Sequence, residues 1–179
     1  VFTFLVTVVL ARVFIPVLKS IKMGQKILDI GPRWHKGKEG TPTMGGLFFI
    51  AASIIPVIAG AIWRRDFILV IHYLFVLFNG MIGFVDDYVK FFKKQNAGLT
   101  ASQKLVLQFA VTAAYLAALY FSGSLSTTIA LPFTDATLDL GVFYYIIVLV
   151  GIVFTVNSAN LTDGIDGLCS SVTAVSMVF

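Results

Sequence analysis

Residues 67–90 have the sequence FILVIHYLFVLFNGMIGFVDDYVK, an apolar run that ends abruptly at two aspartates. The part from 67 to 85 contains no Asp, Glu, Lys or Arg, and its length lies within the roughly 17–25 residues that a helix needs to cross the hydrocarbon core of a bilayer. Taken alone, such a run also fits a buried helix of a soluble protein. The remainder of the chain distinguishes these two interpretations.

Comparable apolar runs recur along the chain, at 1–18, 45–62, 105–121 and 141–156, and another begins at Leu168. Hydrophobic residues make up 58% of the 179 residues and charged residues only 12%, and the mean hydropathy is +0.94. A soluble domain of this length needs more charge to cover its surface. The sequence therefore predicts an all-α, polytopic transmembrane helix bundle with five spans and the start of a sixth, and residues 1–179 are expected to form a single integral membrane domain.

Basic residues are distributed unevenly among the loops. Ten of them lie between spans one and two or between spans three and four, against two, Arg64 and Arg65, after span two. The positive-inside rule therefore places the loop between spans one and two, the loop between spans three and four, and the segment 157–167 on the cytoplasmic side, with 122–140 outside. The net charge of +4 is then explained by membrane orientation, and nucleic acid is not an expected partner. Two β-prone runs around Pro132 predict a small external hairpin.

Three polar segments interrupt the apolar pattern, all on the predicted cytoplasmic side. The first, GTPTMGG at 40–46, combines glycines and a proline with the hydroxyls of Thr41 and Thr43, and it leads into span two. Exposed backbone N–H groups before a helix suit an anion. Considered alone, the segment is explained better as a loop with Thr43 as the helix N-cap.

The second polar segment is Asp86-Asp87, at the end of span three. Carboxylates inside a membrane bundle are costly and usually functional. Adjacent helical side chains point about 100° apart, so one carboxylate can bind a metal while the other faces a reacting group. A solvated acidic border balanced by Lys90, Lys93 and Lys94 explains the pair equally well.

The third segment, NSANLTDGIDGL at 157–168, carries a polar residue at every third position. These residues are Asn157, Asn160, Asp163 and Asp166. Gly164 and Gly167 predict a break in the helix that lets the polar groups converge. A turn explains one Asp-Gly pair but not two that follow a pair of asparagines at membrane depth, so a functional site is favoured. Oxygen ligands without clustered Cys or His indicate Mg²⁺ or Mn²⁺, with lysines to neutralise a phosphorylated substrate.

Together these motifs resemble the polyprenyl-phosphate N-acetylhexosamine-1-phosphate transferase superfamily, along essentially the whole chain and in span order. GTPTMGG and NLTDGIDGL resemble its phospho-N-acetylmuramoyl-pentapeptide transferase branch. The resemblance implies the N-terminal portion of a longer protein, in which a further metal-binding aspartate and a histidine-rich motif lie beyond residue 179. We expect residues 1–179 alone to be inactive.

The resemblance also implies a reaction: transfer of phospho-MurNAc-pentapeptide from UDP-MurNAc-pentapeptide to undecaprenyl phosphate, giving lipid I and UMP for peptidoglycan synthesis. It implies Mg²⁺, a homodimer, and a multi-pass protein of the bacterial cytoplasmic membrane with its active site facing the cytoplasm. By motif position the catalytic residues would be Asp86, Asp87 and Asp163, with Asp86 as the base or lipid-phosphate contact, and the metal ligands would be Asp87 and Asp163. The substrate contacts would be Lys38, Thr41, Lys90, Lys104, Asn157, Asn160 and Asp166.

Three alternatives remain. A sister enzyme would transfer GlcNAc-1-phosphate to the same lipid. An ion-coupled transporter would need acids near the bilayer midplane and a repeat, whereas these acids cluster at one face. A purely structural membrane protein would leave the polar spacing of 157–166 unexplained. The deeper amides of Asn79 and Gln108 are expected to bond to neighbouring helices.

Overall fold

The computed structural model describes residues 2–20, 43–93, 97–164 and 167–178. These residues form six helices and one two-stranded antiparallel sheet. In chain order the elements are α1 (Phe2–Ser20), α2 (Gly46–Arg64), α3 (Ile68–Phe92), α4 (Ala101–Phe121), β1 (Thr128–Ala130), β2 (Thr137–Asp139), α5 (Val142–Thr162) and α6 (Leu168–Ser176).

Helices α1 to α5 are each long and apolar enough to cross a membrane, which confirms the five predicted spans and the all-α, polytopic class. α6 begins at Leu168, where the sixth apolar run begins. Large apolar side chains point outward from these helices, among them Phe4 at 69% and Ile62 at 68% exposure. Such a surface is expected where the surrounding medium is lipid or further helices rather than water.

The chain divides into two compact units, Val1–Leu107 and Gln108–Phe179. In the first unit α1 packs on α2, and α2 packs on α3. Gly80 of α3 permits the second contact, because a Cβ there would lie 2.6 Å from Cδ1 of Ile50. Small residues commonly allow close approach of transmembrane helices in this way.

A pair of polar side chains also joins α2 to α3 within this unit. The Tyr73 hydroxyl donates to the main-chain oxygen of Ile50 and accepts from the hydroxyl of Ser53, with a Ser53 Oγ to Tyr73 Oη distance of 3.3 Å. In an apolar medium a hydroxyl needs such partners. Packing at Gly80 and this hydrogen-bonded pair therefore fix α3, the helix that carries the two aspartates.

In the second unit, strands β1 and β2 form the small hairpin that the sequence predicts, with Thr128 opposite Asp139. The Thr127 hydroxyl donates to Oδ1 of Asp139 over 2.5 Å, and the N–H of Gly141 donates to the same atom over 3.0 Å. These two hydrogen bonds hold the pKa of Asp139 below its usual value. The hairpin is therefore fastened at its open end, next to the start of α5.

We predict that Gly80→Leu weakens the first unit by about 1–3 kcal/mol, because the added side chain forces α2 and α3 apart. Gly83→Leu on the same helix is the control, since a Cβ at Gly83 meets no atom within 4 Å. Unfolding of each purified full-length variant in mixed detergent micelles measures the difference. Equal stability of the two variants would show that α3 is not closely packed at Gly80.

Candidate functional site

The two aspartates lie on a helix that continues beyond the end of its apolar run. α3 continues past Val85 to Phe92, so Asp86, Asp87 and Lys90 all belong to its last turns. No glycine or proline interrupts this part of the sequence, and charge pairs three and four residues apart stabilise helical turns. The end of the apolar run therefore marks the membrane border rather than the end of the helix.

This spacing places one lysine against both aspartates. Nζ of Lys90 lies 2.7 Å from Oδ2 of Asp86 and 3.1 Å from Oδ1 of Asp87. Because all three residues lie on one helix, folding of α3 is enough to bring their side chains within reach of one another. Lys90 therefore balances the acidic pair, as the alternative of a solvated border expects, but Asp86 itself is buried.

The second lysine comes from the start of α4. There the Thr100 N–H donates to Oε1 of Gln103 over 2.9 Å, and the Gln103 N–H donates to Oγ1 of Thr100 over 3.2 Å. This reciprocal pair is a capping box, which fixes where a helix begins. It sets Lys104 on the first turn of α4, where its Nζ lies 2.9 Å from Oδ1 of Asp86.

Asp86 is the centre of this group and is only 7% exposed. Besides the two lysines, it accepts a hydrogen bond of 2.8 Å from the Leu99 N–H to Oδ1. A carboxylate removed from water is tolerated when such partners surround it. We call Asp86, Asp87, Lys90 and Lys104 the ionic cluster. The sequence named all four as site residues, and the structure brings them together.

The two carboxylates of the ionic cluster have different surroundings. The Asp87 side chain is 25% exposed, against 10% for Asp86, and Lys90 lies on one side of it. Asp87 therefore retains room for an additional ligand. Asp86 is more buried and already has three donors on its two oxygens, so it is less open to an additional ligand.

The asparagine and aspartate motif lies in the second unit. α5 ends at Thr162, Asp163 follows as its C-cap, and Gly167 adopts a left-handed φ of 78° directly before α6. The predicted break is therefore present, but it comes after the asparagines, which both remain on the helix. Asn160 and Asp163 are exposed.

Asn157 contacts a neighbouring helix. Its Nδ2 donates to Oε1 of Gln108 on α4 over 2.6 Å and to the main-chain oxygen of Val153 over 2.8 Å. An asparagine amide has two N–H donors, so both are used within the protein. The expectation that Gln108 bonds to a neighbouring helix is confirmed, whereas the hydrogen bond of Asn79 goes to Phe75 of its own helix.

Several predicted site residues are not brought to the ionic cluster. Lys38, Thr41 and Asp166 lie outside the described residues. Asp163 and both asparagines belong to the second unit. Among the described residues, no three or more His, Cys, Asp or Glu side chains are grouped closely enough to hold a metal ion by themselves.

The short segment before α4, residues 97–100, contacts Asp86 and was not predicted from the sequence. A Cβ on Gly98 would overlap Oδ1 of Asp86, and the adjacent Leu99 N–H donates to that same atom. The motif Thr-x-x-Gln at 100–103 is a recognisable helix-start signal and could have located α4. Nothing in the sequence indicates that its preceding glycine touches Asp86.

The amino-acid sequence matches known protein families in two places. The profile of glycosyl transferase family 4 matches residues 68–179, more than half of the chain. The chain belongs to glycosyl transferase family 4. Within this family, the part that matches includes the whole ionic cluster and the motif that begins at Asn157. Residues 38–50, which include Lys38 and Thr41, match a motif described as phospho-N-acetylmuramoyl-pentapeptide-transferase signature 1.

Curated relatives of this family 4 chain carry the same description, phospho-N-acetylmuramoyl-pentapeptide-transferase. The protein of Caldanaerobacter subterraneus subsp. tengcongensis is 38% identical over 99% of the chain and 55% of its own length. That of Clostridium botulinum strain Alaska E43 is 43% identical over 98% of the chain and 53% of its length. That of Bacillus pumilus is 41% identical over 97% and 54%. The chain spans about half the length of the curated relatives it matches.

We predict that Asp86→Asn destabilises the full-length protein by about 1–3 kcal/mol, because the partly buried ammonium of Lys104 loses the carboxylate it pairs with and Lys90 keeps only Asp87. Asp163→Asn, at an exposed position, should change stability by less than about 0.5 kcal/mol. Combining Asp86→Asn with Lys104→Gln should cost less than the sum of the two single changes. Strictly additive losses in detergent unfolding would contradict the ion pair.

Proposed function

We propose that the full-length protein transfers phospho-MurNAc-pentapeptide from UDP-MurNAc-pentapeptide to undecaprenyl phosphate, giving lipid I and UMP. The observation that carries the proposal is the 38–43% identity, along 97–99% of the chain, to proteins described as phospho-N-acetylmuramoyl-pentapeptide-transferases. The match of residues 38–50 to the signature of that description supports the same substrate. The ionic cluster supplies the chemistry.

Phosphoryl transfer depends on positioning and on stabilising negative charge that spreads over the phosphate oxygens. Lys90 and Lys104 can meet this requirement, because their side chains are 36% and 29% exposed and can be approached from outside the cluster. In the absence of substrate both ammonium groups are held by Asp86. A diphosphate or a lipid phosphate would compete with that carboxylate for them.

The proposed exchange has a consequence for Asp86. When the lysines turn toward phosphate, the carboxylate loses two of its three donors and becomes able to accept a proton. The lipid phosphate is already a nucleophile, which favours direct attack over a covalent enzyme intermediate. Its oxygen bonds to the phosphorus that carries the sugar, while the bond from that phosphorus to UMP breaks and UMP leaves with the electron pair.

By motif position, Asp87 and Asp163 are the proposed ligands of a magnesium ion. Mg²⁺ is usually held by one or two carboxylates together with substrate phosphates, and the Asp87 side chain is partly exposed while Asp163 is exposed. We propose that both bind the metal. When bound, the ion would neutralise part of the diphosphate charge. Asp86 is less suited, since each of its oxygens already has a donor.

The remaining predicted contacts are assigned to the nucleotide and the sugar. Lys38, Thr41, Asn160 and Asp166 are proposed to bind the substrate by motif position. Asn157 would contribute through Oδ1, because both of its N–H donors are engaged with α4 and its own helix. We further propose a homodimer in the bacterial cytoplasmic membrane, with the ionic cluster on the cytoplasmic side, where a UDP-sugar is available.

We predict that the full-length protein with Mg²⁺ and undecaprenyl phosphate releases UMP from UDP-MurNAc-pentapeptide and none from UDP-GlcNAc. Lys104→Gln should reduce kcat/KM by about 10²-fold, since a group that stabilises developing charge is lost. Lys93→Gln is the control, because Lys93 is exposed and outside the ionic cluster. Turnover of UDP-GlcNAc alone would identify the sister GlcNAc-1-phosphate transferase instead.

We predict opposite sidedness for two engineered cysteines in a cysteine-free background of the full-length protein, in which Cys169 is replaced by serine. Ala136→Cys, in the hairpin turn, should react with a membrane-impermeant maleimide added to intact spheroplasts, and Lys93→Cys should react only after permeabilisation. Both positions are exposed in the structure. The reverse pattern would place the ionic cluster outside the cell and contradict a cytoplasmic UDP-sugar as the donor.

A further inference from the structure

We propose that Gly98 is a positioning residue of the ionic cluster. Its missing side chain lets the segment 97–100 close on Asp86, and that closure sets the position of Lys104. The structural part of this inference stands on geometry alone, whereas its kinetic consequence rests on the proposed function.

The space at Gly98 is filled by Asp86. A Cβ at Gly98 would overlap Oδ1 of Asp86 and would lie 2.7 Å from both its Cγ and its main-chain oxygen. The main-chain oxygen belongs to α3, and the carboxylate is buried and bound by three donors. Neither can turn aside as the end of a flexible side chain could. Any side chain at position 98 must therefore push the segment away from α3.

The segment is tied to Lys104 through a short series of hydrogen bonds. Leu99, the next residue, donates its N–H to Oδ1 of Asp86, and Thr100 then caps α4 together with Gln103. The Lys104 N–H donates to the main-chain oxygen of Thr100 over 3.0 Å. Only Leu99 separates Gly98 from the capping residue. A shift at Gly98 is thus transmitted to the first turn of α4.

Oδ1 of Asp86 contacts both the segment 97–100 and Lys104. Oδ1 of Asp86 receives the Leu99 N–H over 2.8 Å and Nζ of Lys104 over 2.9 Å. Moving the segment away lengthens the Leu99 contact directly and shifts the main chain from which Lys104 reaches the same oxygen. Lys104 would then be placed wrongly for the phosphate that it is proposed to stabilise. The effect should fall mainly on kcat, because that charge develops in the transition state.

Gly98→Ala and Gly83→Ala are matched alanine substitutions for a test in the full-length protein. Gly83 lies on α3 and a Cβ there meets no atom within 4 Å, so it controls for the added methyl group. Reductive methylation of Lys104, quantified by peptide mass spectrometry, reports its ion pair without any substrate. Gly98→Ala should raise Lys104 modification by at least about threefold, the change expected when a partly exposed ion pair is lost. Unchanged modification in folded Gly98→Ala would overturn the proposal.

Kinetics separate positioning from a general loss of structure. Gly98→Ala should lower kcat by at least about tenfold with KM changed less than about threefold, as expected for an interaction made in the transition state. In a Lys104→Gln background the same change should cost less than about twofold, because it acts through Lys104. An equal loss in both backgrounds would overturn the positioning role. If the wild type shows no turnover, the proposed function fails while the methylation result still decides the geometry.

Gln103→Ala provides a second variant in case Gly98→Ala does not fold. It removes the acceptor for the Thr100 N–H but leaves Gly98 and Asp86 unchanged. Loosening the start of α4 should raise Lys104 modification in the same direction and by a smaller factor. Should Gly98→Ala fail to fold, this variant decides alone: a rise supports the proposal, and no change contradicts it.

Discussion

A carboxylate that is buried at a membrane border must be surrounded by donors, and Asp86 is surrounded by three. This requirement organises the end of the first unit. Lys90 can reach Asp86 only because α3 stays helical beyond its apolar run. Lys104 can reach it only because α4 starts where its capping box places it. The Leu99 N–H can reach it only because Gly98 has no side chain. Three features of local structure are thus explained by one charge.

The carboxylate of Asp86 positions the two lysines and at the same time occupies them. Two lysines held firmly by a carboxylate are well positioned but not free, and two free lysines at a lipid border would repel each other. Holding them against Asp86 keeps both ammonium groups close together until an anion of higher charge arrives. The cost of separating each pair is moderate, because the lysine side chains are about one-third exposed. In the proposed reaction, substrate phosphate would replace Asp86 as the partner.

Most of the fold could be predicted because membrane spans are encoded in long apolar runs, and the hairpin in two short β-prone runs. Within the described residues, the composition of the cluster could also be predicted: Asp86 and Asp87 stand out as charges at the end of such a run, and the family resemblance implied Lys90 and Lys104. The contact at Gly98 could not, because it depends on how a turn folds back in space rather than on any periodic pattern. The prediction for Asn157 was likewise incomplete, because it did not include the contacts of this side chain with helices. Its spacing from Asp163 indicates a site, but its two donors are engaged in helix contacts, Gln108 among them.

The aspartates of this chain therefore differ in whether their surroundings leave a carboxylate oxygen accessible to a ligand. Asp86 has its oxygens occupied, is buried, and holds other groups in place. Asp163 ends a helix, is exposed, and retains oxygens that an additional ligand can reach. Asp87 lies between these extremes, with one lysine beside it and partial exposure. If the site binds the proposed metal and also places two lysines, it needs carboxylates of both kinds. Adjacent positions on one helix supply them at Asp86 and Asp87, because successive side chains point in different directions and so reach different depths.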